Sequence, residues 1–168
     1  MKGASRRALV PMQRDDAITL RPARREDVPA IVALLADDPL GRERETDSDP
    51  LPAAYGRAFD DIAAQGGNFL IVAERGGAEI VGCLQLTVIP GLSRHGMRRG
   101  LIEAVRVAAA CRGLGLGERL VGRAIEIARA EGCGLVQLTS DQSRADAHRF
   151  YERLGFVASH LGFKLALD

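Results

Sequence analysis

Cysteine is scarce in this chain, and so is any excess of one charge sign, any long apolar run and any internal repeat. The three cysteines, Cys83, Cys111 and Cys133, are odd in number and sit in neither C-x-x-C nor Cys/His ligand spacing. That argues against a disulfide framework and a metal site, and predicts reduced thiols in a cytoplasmic protein. Lys and Arg total 23 against 22 Asp and Glu, a net charge of +1. Nothing in that balance draws the chain toward nucleic acid or an anionic membrane. No apolar stretch approaches a membrane span, and no signal-like apolar core follows the first Lys and Arg residues. His95, His148 and His160 are too scattered to suggest a metal by spacing. Metal, nucleic acid and membrane therefore have no place among the expected ligands.

What the chain does have is core-forming material: 168 residues, 46% of them hydrophobic, enough for one domain with a real interior. Residues 1–16 are polar and basic without periodicity and read as a flexible extension, leaving 17–168 as the folded domain. Ile18 to Pro22 is a strand candidate. Glu26 and Asp27 open a helix with Val28, Ile31, Val32, Leu34 and Leu35 on its apolar positions. Asp37 to Pro52 contains three prolines and many charges, the composition of a surface loop or flap. Tyr55 to Gln65 is helical, with Phe59 and Ile62 turned inward. Phe69 to Glu74 and Ile80 to Ile89 are strands joined through Arg75-Gly-Gly77, a hairpin signal. Pro90 to Gly100 reads as a polar connector and Leu101 to Ala108 as a strand. Leu135 to Thr139 is another strand, Ala145 to Leu154 a helix, and Phe156 to Leu167 one or two closing strands. Helices and strands interleave along one chain, which predicts an α/β sandwich with a mixed central sheet.

The densest signal is Val105-Arg-Val-Ala-Ala-Ala-Cys-Arg-Gly-Leu-Gly-Leu-Gly117. An apolar strand breaks into alternating glycines, and Leu116, Leu120, Val121, Ala124, Ile127 and Ala128 then follow at helical spacing. Strand, glycine loop and helix start together present free backbone N–H groups at the positive end of a helix dipole, where a phosphate or diphosphate binds. A dinucleotide fingerprint fails, because Glu118 or Leu120 stands where its third glycine belongs. A P-loop fails too, since Glu118 takes the required position and no lysine is near.

What the residues do spell is Arg112-x-x-Gly115-x-Gly117, which resembles the R-x-x-G-x-G signature of the GNAT superfamily of acyl-CoA N-acyltransferases. Ile102-Glu103-Ala104-Val105-Arg106-Val107 before it, and Ala147-His-Arg-Phe-Tyr151-Glu-Arg-Leu-Gly-Phe156 after it, are similar to the family's strand and to its A-x-x-F-Y-x-x-x-G-F helix end. With further family-like elements the likeness spans roughly Ile18 to Leu167. It implies a mixed, mostly antiparallel sheet flanked by helices, and acetyl-CoA as cosubstrate.

Acyl transfer to an amine needs the acceptor nitrogen deprotonated, since an alkylammonium titrates near 10. It also needs donors for the developing oxyanion and an acid for the leaving thiolate. Glu103 matches the family's general base. On regular alternation it shares a face with Val105 and Val107, an awkward place for a carboxylate unless it borders a cavity. The plainer alternative is a strand-end carboxylate paired with Arg98, Arg99 or Arg106. Tyr151 lies at the edge of a helix stripe of Ala147, Phe150 and Leu154, and the resemblance makes it the acid. Its alternative is a core aromatic with a satisfied hydroxyl.

The same resemblance assigns Arg112, Gly113, Leu114, Gly115, Leu116 and Gly117 to the diphosphate, chiefly through main-chain N–H groups. The backbone of Val105, Arg106 and Val107 falls to the pantetheine arm, with the amide near Val105 as oxyanion donor. Ser143 precedes Asp146 by three residues, the form of a capping box, so it is expected to cap a helix and to touch CoA. Arg144 replaces a common family Asn and would offer CoA a longer cation. Cys111 adjoins the loop but has no evident basic partner, and reads as a small core residue.

The stretch Arg144-x-Asp-Ala-His-Arg-Phe-Tyr151 with Gly155-Phe156 and Ser159-His160-x-x-Phe163 is similar to the C-terminal part of aminoalkylphosphonate N-acetyltransferases. The connector Ser93 to Arg99 reads first as a solvated loop, with cations for an acidic acceptor as the alternative. The favoured acceptor is a small-molecule primary amine, with a protein N-terminus or lysine second. A non-catalytic CoA-binding regulatory module and a nucleotide-phosphate binder stand as other classes. A homodimer is an expectation by family analogy alone.

Overall fold

The computed structural model describes residues 17–37, 41–42 and 44–167. The expected extension, residues 1–16, lies outside the described residues. Five strands form one sheet in chain order: β1 (Ile18–Pro22), β2 (Asn68–Arg75), β3 (Glu79–Ile89), β4 (Arg98–Val107) and β5 (Cys133–Leu138). The first four pair antiparallel, and β5 joins β4 in parallel. The α/β class and the mixed sheet are as the sequence implied.

The β2–β3 hairpin turns at Gly76 and Gly77, both at positive φ (60° and 79°), as the paired glycines predicted. Helices cover both faces, which is why Ile71, Val72 and Ala73 are all buried in succession instead of alternating. On one face α4 (Leu116–Ala130) sets Leu116, Leu120, Val121, Ala124 and Ala128 against Ile71, Ala73, Leu84, Leu86 and Ile102. It comes in closely. A Cβ at Gly82 would meet Leu120 at 3.1 Å, and one at Gly100 would meet Ala128 at 3.3 Å. On the other face α1 (Val28–Ala36) buries Ile31 and Leu34 against Val72 and Cys83. Helix α2 (Ala53–Ala64) packs more loosely, with no residue fully buried.

A charged knot fastens α1 to the sheet. Arg21 on β1 donates to both carboxylate oxygens of Asp27, at 2.7 and 2.9 Å, and to Glu74 of β2 at 2.6 Å. Asp27 also accepts the Arg24 amide at 2.7 Å and is only 5% exposed. It ends a single 3-10 turn, Arg25–Asp27, that leads into α1. The hydrogen bonds from Arg21 hold the Asp27 carboxyl below its ordinary range despite burial.

Two expectations need correction. The connector before Gly100 is shorter than expected, because β4 begins at Arg98 and a one-turn α3 (Ser93–Gly96) precedes it with Arg94 and His95 in left-handed conformation. The closing strands expected over Phe156 to Leu167 do not form, and residues 156–167 have no regular secondary structure. A strand requires a neighbour. Here Gly162 approaches Thr139, one residue past the end of β5 (a Cβ at Gly162 would lie 3.8 Å from the Thr139 side chain), and no ladder to β5 forms.

Asp27→Asn would leave Arg21 with Glu74 as its remaining carboxylate partner and remove the charge from its bonds to residue 27, at a cost of about 2 kcal/mol at neutral pH. The carboxyl's contribution is complete above its unfolded value of about 4 and fades as pH falls through the lowered folded value. Denaturant unfolding should therefore show a parent–variant gap that closes on acidification to about pH 2. A gap independent of pH would contradict this.

Candidate active site

The site is built where β4 and β5 part. Pairing between them ends at Ile102 opposite Leu138, yet β4 continues to Val107 while bonded to β3 on its other side. The edge of Glu103 to Val107 that faces away from β3 therefore borders a wedge. Beside it, Ala104 adopts a left-handed φ of 53°, and the β3–β4 register slips between Cys83 and Gln85. This is a bulge, two residues of β4 set against one of β3. The Cys83 thiol donates to the Ala104 carbonyl at 3.5 Å.

The bulge corrects the expected face of Glu103. Ile102, Val105 and Val107 all join the core under α4, so Glu103 projects from the opposite face, where it is exposed. Regular alternation is broken by the inserted residue. Among the described residues Glu103 makes no ion pair, and Arg98 lies instead 4.0 Å from Glu131. Opposite Glu103 in register is Gln85. Gln85 and Thr87 both donate to the Asn68 side-chain oxygen, at 3.0 and 3.2 Å, making a polar row across β2 and β3. Motif reading missed this row. Its only sequence signal is Gln85 and Thr87 interrupting an otherwise apolar strand at a spacing of two.

The glycine loop stands at the head of α4, which begins at Leu116 as expected. Gly113 and Gly115 take φ of 76° and 78°, and no atom lies within 4 Å of where their Cβ atoms would be. Glycine is thus needed at both positions for its dihedrals and not for room. Gly117 is small for another reason: a Cβ there would meet the Phe150 ring at 3.3 Å. Leu114 is exposed. The Arg112 side chain is engaged elsewhere, its Nε donating to the Val107 carbonyl at 3.0 Å and its Nη2 to Asp37 at 3.1 Å. It braces the end of β4 against the end of α1.

Helix α5 (Ala145–Arg153) carries Tyr151, half-buried and edge-on to Phe150 and Phe156. Burial pushes its phenol above the ordinary value, and Arg144 and Arg106 pull it partly back. The hydroxyl therefore shares the electrostatic field of β4 and of the α5 N-terminus. Arg106 also donates to the Val105 carbonyl at 3.0 Å. The capping box expected at Ser143 does not form. Arg144 occupies the N-cap without a side-chain cap bond, while the Ser143 amide and hydroxyl both bind Asp141, at 2.9 and 2.7 Å. An aspartate two residues back competes successfully for the serine. The same Asp141 offers its carbonyl to His148 Nε2 at 2.8 Å.

Cys111 is buried, as expected of a core residue, but it does have a cationic neighbour, since Arg75 reaches its sulfur at 3.6 Å. Burial pushes the Cys83 thiol up to about 12, so it stays protonated and unreactive. Among the described residues no three His, Cys, Asp or Glu side chains converge as a metal requires. A second hollow of about 230 Å³ lies between α2, α4 and the β1–β2 edge, lined by Leu20, Phe59, Ile62, Phe69 and Arg123. None of the sequence-derived site residues lines it.

Residues 29–156 match the profile of the Acetyltransferase (GNAT) family. Over 88 residues, 52% of this chain, the sequence is 40% identical to glucosamine 6-phosphate N-acetyltransferase of Trypanosoma brucei brucei, covering 58% of that protein. Over 89 residues, 53% of the chain, it is 38% identical to aminoalkylphosphonate N-acetyltransferase of Salmonella typhimurium, covering 57%. The chain thus spans little more than half the length of either relative. A crystal structure described as a transcriptional regulator from Bacillus halodurans C-125 has 50% identity and a TM-score of 0.87, covering 90% of this chain and 100% of that one.

Alkaline titration followed by phenolate absorbance should resolve a component above about pH 10, which Tyr151→Phe removes. Loss of only an ordinary component would mean the ring is more open to water than its packing indicates.

Proposed function

The chain belongs to the GNAT acetyltransferase family, and from that premise we propose that it moves an acetyl group from acetyl-CoA to the primary amine of a small molecule, within a ternary complex. The parting of β4 from β5 carries the reading. Beside that parting stand the head of α4, whose Gly117 comes close to the Phe150 ring, and α5, whose Tyr151 feels the charge of Arg106 on β4. The loop suits a diphosphate because its left-handed glycines, with open space where a Cβ would stand, allow a ligand close approach to the backbone at the head of α4.

Acetyl-CoA supplies the acetyl group as a thioester. The amides from Gly113 to Gly117 hold its diphosphate, with the positive end of α4 behind them. The free edge of Val105 to Val107 receives the pantetheine arm like an added strand. Ser143 and Arg144, at the entry to α5, flank the same carrier. Glu103 takes the ammonium proton, directly or through a water, and the freed nitrogen attacks the carbonyl carbon. The Val105 amide donates to the carbonyl oxygen as charge develops there. The carbon–sulfur bond breaks, and Tyr151 gives its proton to the leaving thiolate. A phenol held above its ordinary value suits that role, being fully protonated at neutral pH.

The acceptor lies on the sheet face that carries Glu103. Asn68, Gln85 and Thr87 supply hydrogen bonds there, and Arg99, two strand alternations from Glu103, adds a cation. Both curated relatives described above are named for acceptors that pair an amine with a phosphorus-bearing anion. An amine of that kind is the favoured substrate class. The Bacillus halodurans protein supports a second reading, a CoA-binding regulator that does not turn over.

A thiol-release assay over a panel of amines separates the two, since only the enzyme releases CoA faster with amine present. Glu103→Gln and Tyr151→Phe should each lower kcat by about a hundredfold or more; parent-like rates would remove both assignments. If Tyr151 is the acid, activity should persist up to about pH 10 before falling, and Tyr151→Phe should lack that limb. Calorimetry should detect heat with CoA and acetyl-CoA but none with ATP or NAD. The reverse pattern would favour a nucleotide-phosphate binder.

A further inference from the structure

The hollow between α2, α4 and the outer edge of the sheet has no task in acetyl transfer, since neither the glycine loop, Glu103 nor Tyr151 lines it. It opens where the outermost strand stops short. β1 ends at Pro22, opposite Ile71, whereas β2 begins at Asn68. Past Pro22 the chain keeps one contact with this part of β2, the Ala23 amide donating to the Leu70 carbonyl at 2.8 Å. The start of β2 thus lacks a full strand beside it, and α2 stands over the gap.

α2 does not close it. Phe59, Ile62 and Ala63 lie at i, i+3 and i+4 on one stripe of the helix, the kind of face an amphipathic helix turns inward. That stripe looks into a space of about 230 Å³, and Leu20, Phe59, Ile62 and Phe69 around it are none of them fully buried. Packed interiors rarely keep voids larger than a water molecule. Arg25 fixes α2 where it stands, its Nη1 donating to the Gly56 carbonyl at 3.0 Å and to Asp60. An apolar cavity of roughly 150 Å³ stays dry and takes up benzene, so this hollow suits about ten non-hydrogen atoms, most of them carbon.

The charge at the hollow has one sign. Among the described residues its lining includes Arg21 and Arg123 and no carboxylate. Arg21 is committed to Asp27 and Glu74 in the knot that fastens α1. Arg123 stands half exposed on α4, with its Nη1 donating to Glu126 at 3.0 Å along the helix surface. Exposed pairs of this spacing are weak, so the guanidinium can turn to a stronger acceptor at little cost. A carboxylate matches its fork, and a single available cation suits a monoanion better than a phosphate ester.

We infer that the hollow is a second binding site, for a small apolar monocarboxylic acid. The hydrocarbon body lies on Leu20, Phe59, Ile62 and Phe69, and the carboxylate accepts from Arg123 at the rim. Apolar walls with one well-placed polar group are the usual make-up of a small-molecule site. Filling the space gives the inward stripe of α2 the contacts it lacks, so ligand and helix stabilise each other. The inference does not rest on the acetyl-transfer reading, and either can fail without the other.

Calorimetry of the full chain tests it, with octanoate as the probe and octanamide as its uncharged match. Octanoate should saturate one site per chain at about 1 mM or below, and octanamide should bind about tenfold more weakly. Arg123→Gln should weaken octanoate by about tenfold and leave octanamide as it was. Ala63→Trp, which sets a ring in the hollow, should weaken both by about tenfold or more. Unchanged circular dichroism will show that the variants remain folded. The chain has no tryptophan, so Phe59→Trp places a single emitter on the lining, and its emission should shift as octanoate saturates. Absence of saturable binding, equal binding of octanoate and octanamide, or an unmoved emission each overturns the inference. So does binding that neither Arg123→Gln nor Ala63→Trp alters, which would put the probe elsewhere.

Discussion

The chemistry of this fold depends on a mismatch in strand length. β5 stops at Leu138, opposite Ile102, while β4 runs on to Val107 with β3 still bonded to its other edge. A backbone edge that is rigid on one side and open on the other is uncommon inside a sheet, because unpaired N–H and C=O groups cost free energy when buried. It persists here because the wedge is wet, or filled by a ligand able to bond as a strand does. The bulge at Ala104 falls within the same segment and reverses the side chains beyond it. Val105 and Val107 turn into the core, so their backbone is held in place by packing, and Glu103 is left outside. One inserted residue thus divides the labour between main chain and side chain.

The two faces of the sheet have different tasks. Under α4, Gly82 makes room for Leu120 and Gly100 for Ala128, which brings the helix close and fixes the glycine loop at its head. Rigid packing at that end matters, since amides that hold an anion act best when already in place. The opposite face is covered only in part. α1 seals Val72 and Cys83, fastened by the Arg21–Asp27–Glu74 knot. Beyond it, Asn68, Gln85 and Thr87 tie one another down across central strands. Polar side chains on a central sheet face forgo apolar burial, and their hydrogen bonds to one another offset part of that loss.

Much of this was legible in the residues. Alternating glycines after an apolar strand mark the loop and the start of α4, because glycine takes the left-handed dihedrals used at positions 113 and 115 without a steric penalty. The paired glycines at 76 and 77 located the hairpin for the same reason. The face of Glu103 was not legible. Strand reading assumes a period of two, and a bulge leaves no residue-type signature when its left-handed position is held by alanine. Ser143 misled through competition, since Asp141 offers the same hydroxyl a nearer acceptor. The strands expected after Phe156 do not form, since alternation says only which face favours burial and not whether a neighbouring strand is there to pair with.

Electrostatics inside the wedge favour one direction of proton flow. Arg106 and Arg144 both act on Tyr151, lowering the cost of a phenolate, while burial acts against it more strongly. In the proposed transfer a hydroxyl so placed would give up its proton only to a strong base, such as a thiolate newly cut from its acyl group, and the two guanidinium groups would stabilise the phenolate until solvent restored the proton. Glu103 is exposed and has no ion-pair partner among the described residues, whereas Tyr151 packs with the cluster under α4. The two groups thus lie toward opposite faces of the sheet, and on the proposed reading the strand edge left open beyond Ile102 is what would let one substrate complex meet both.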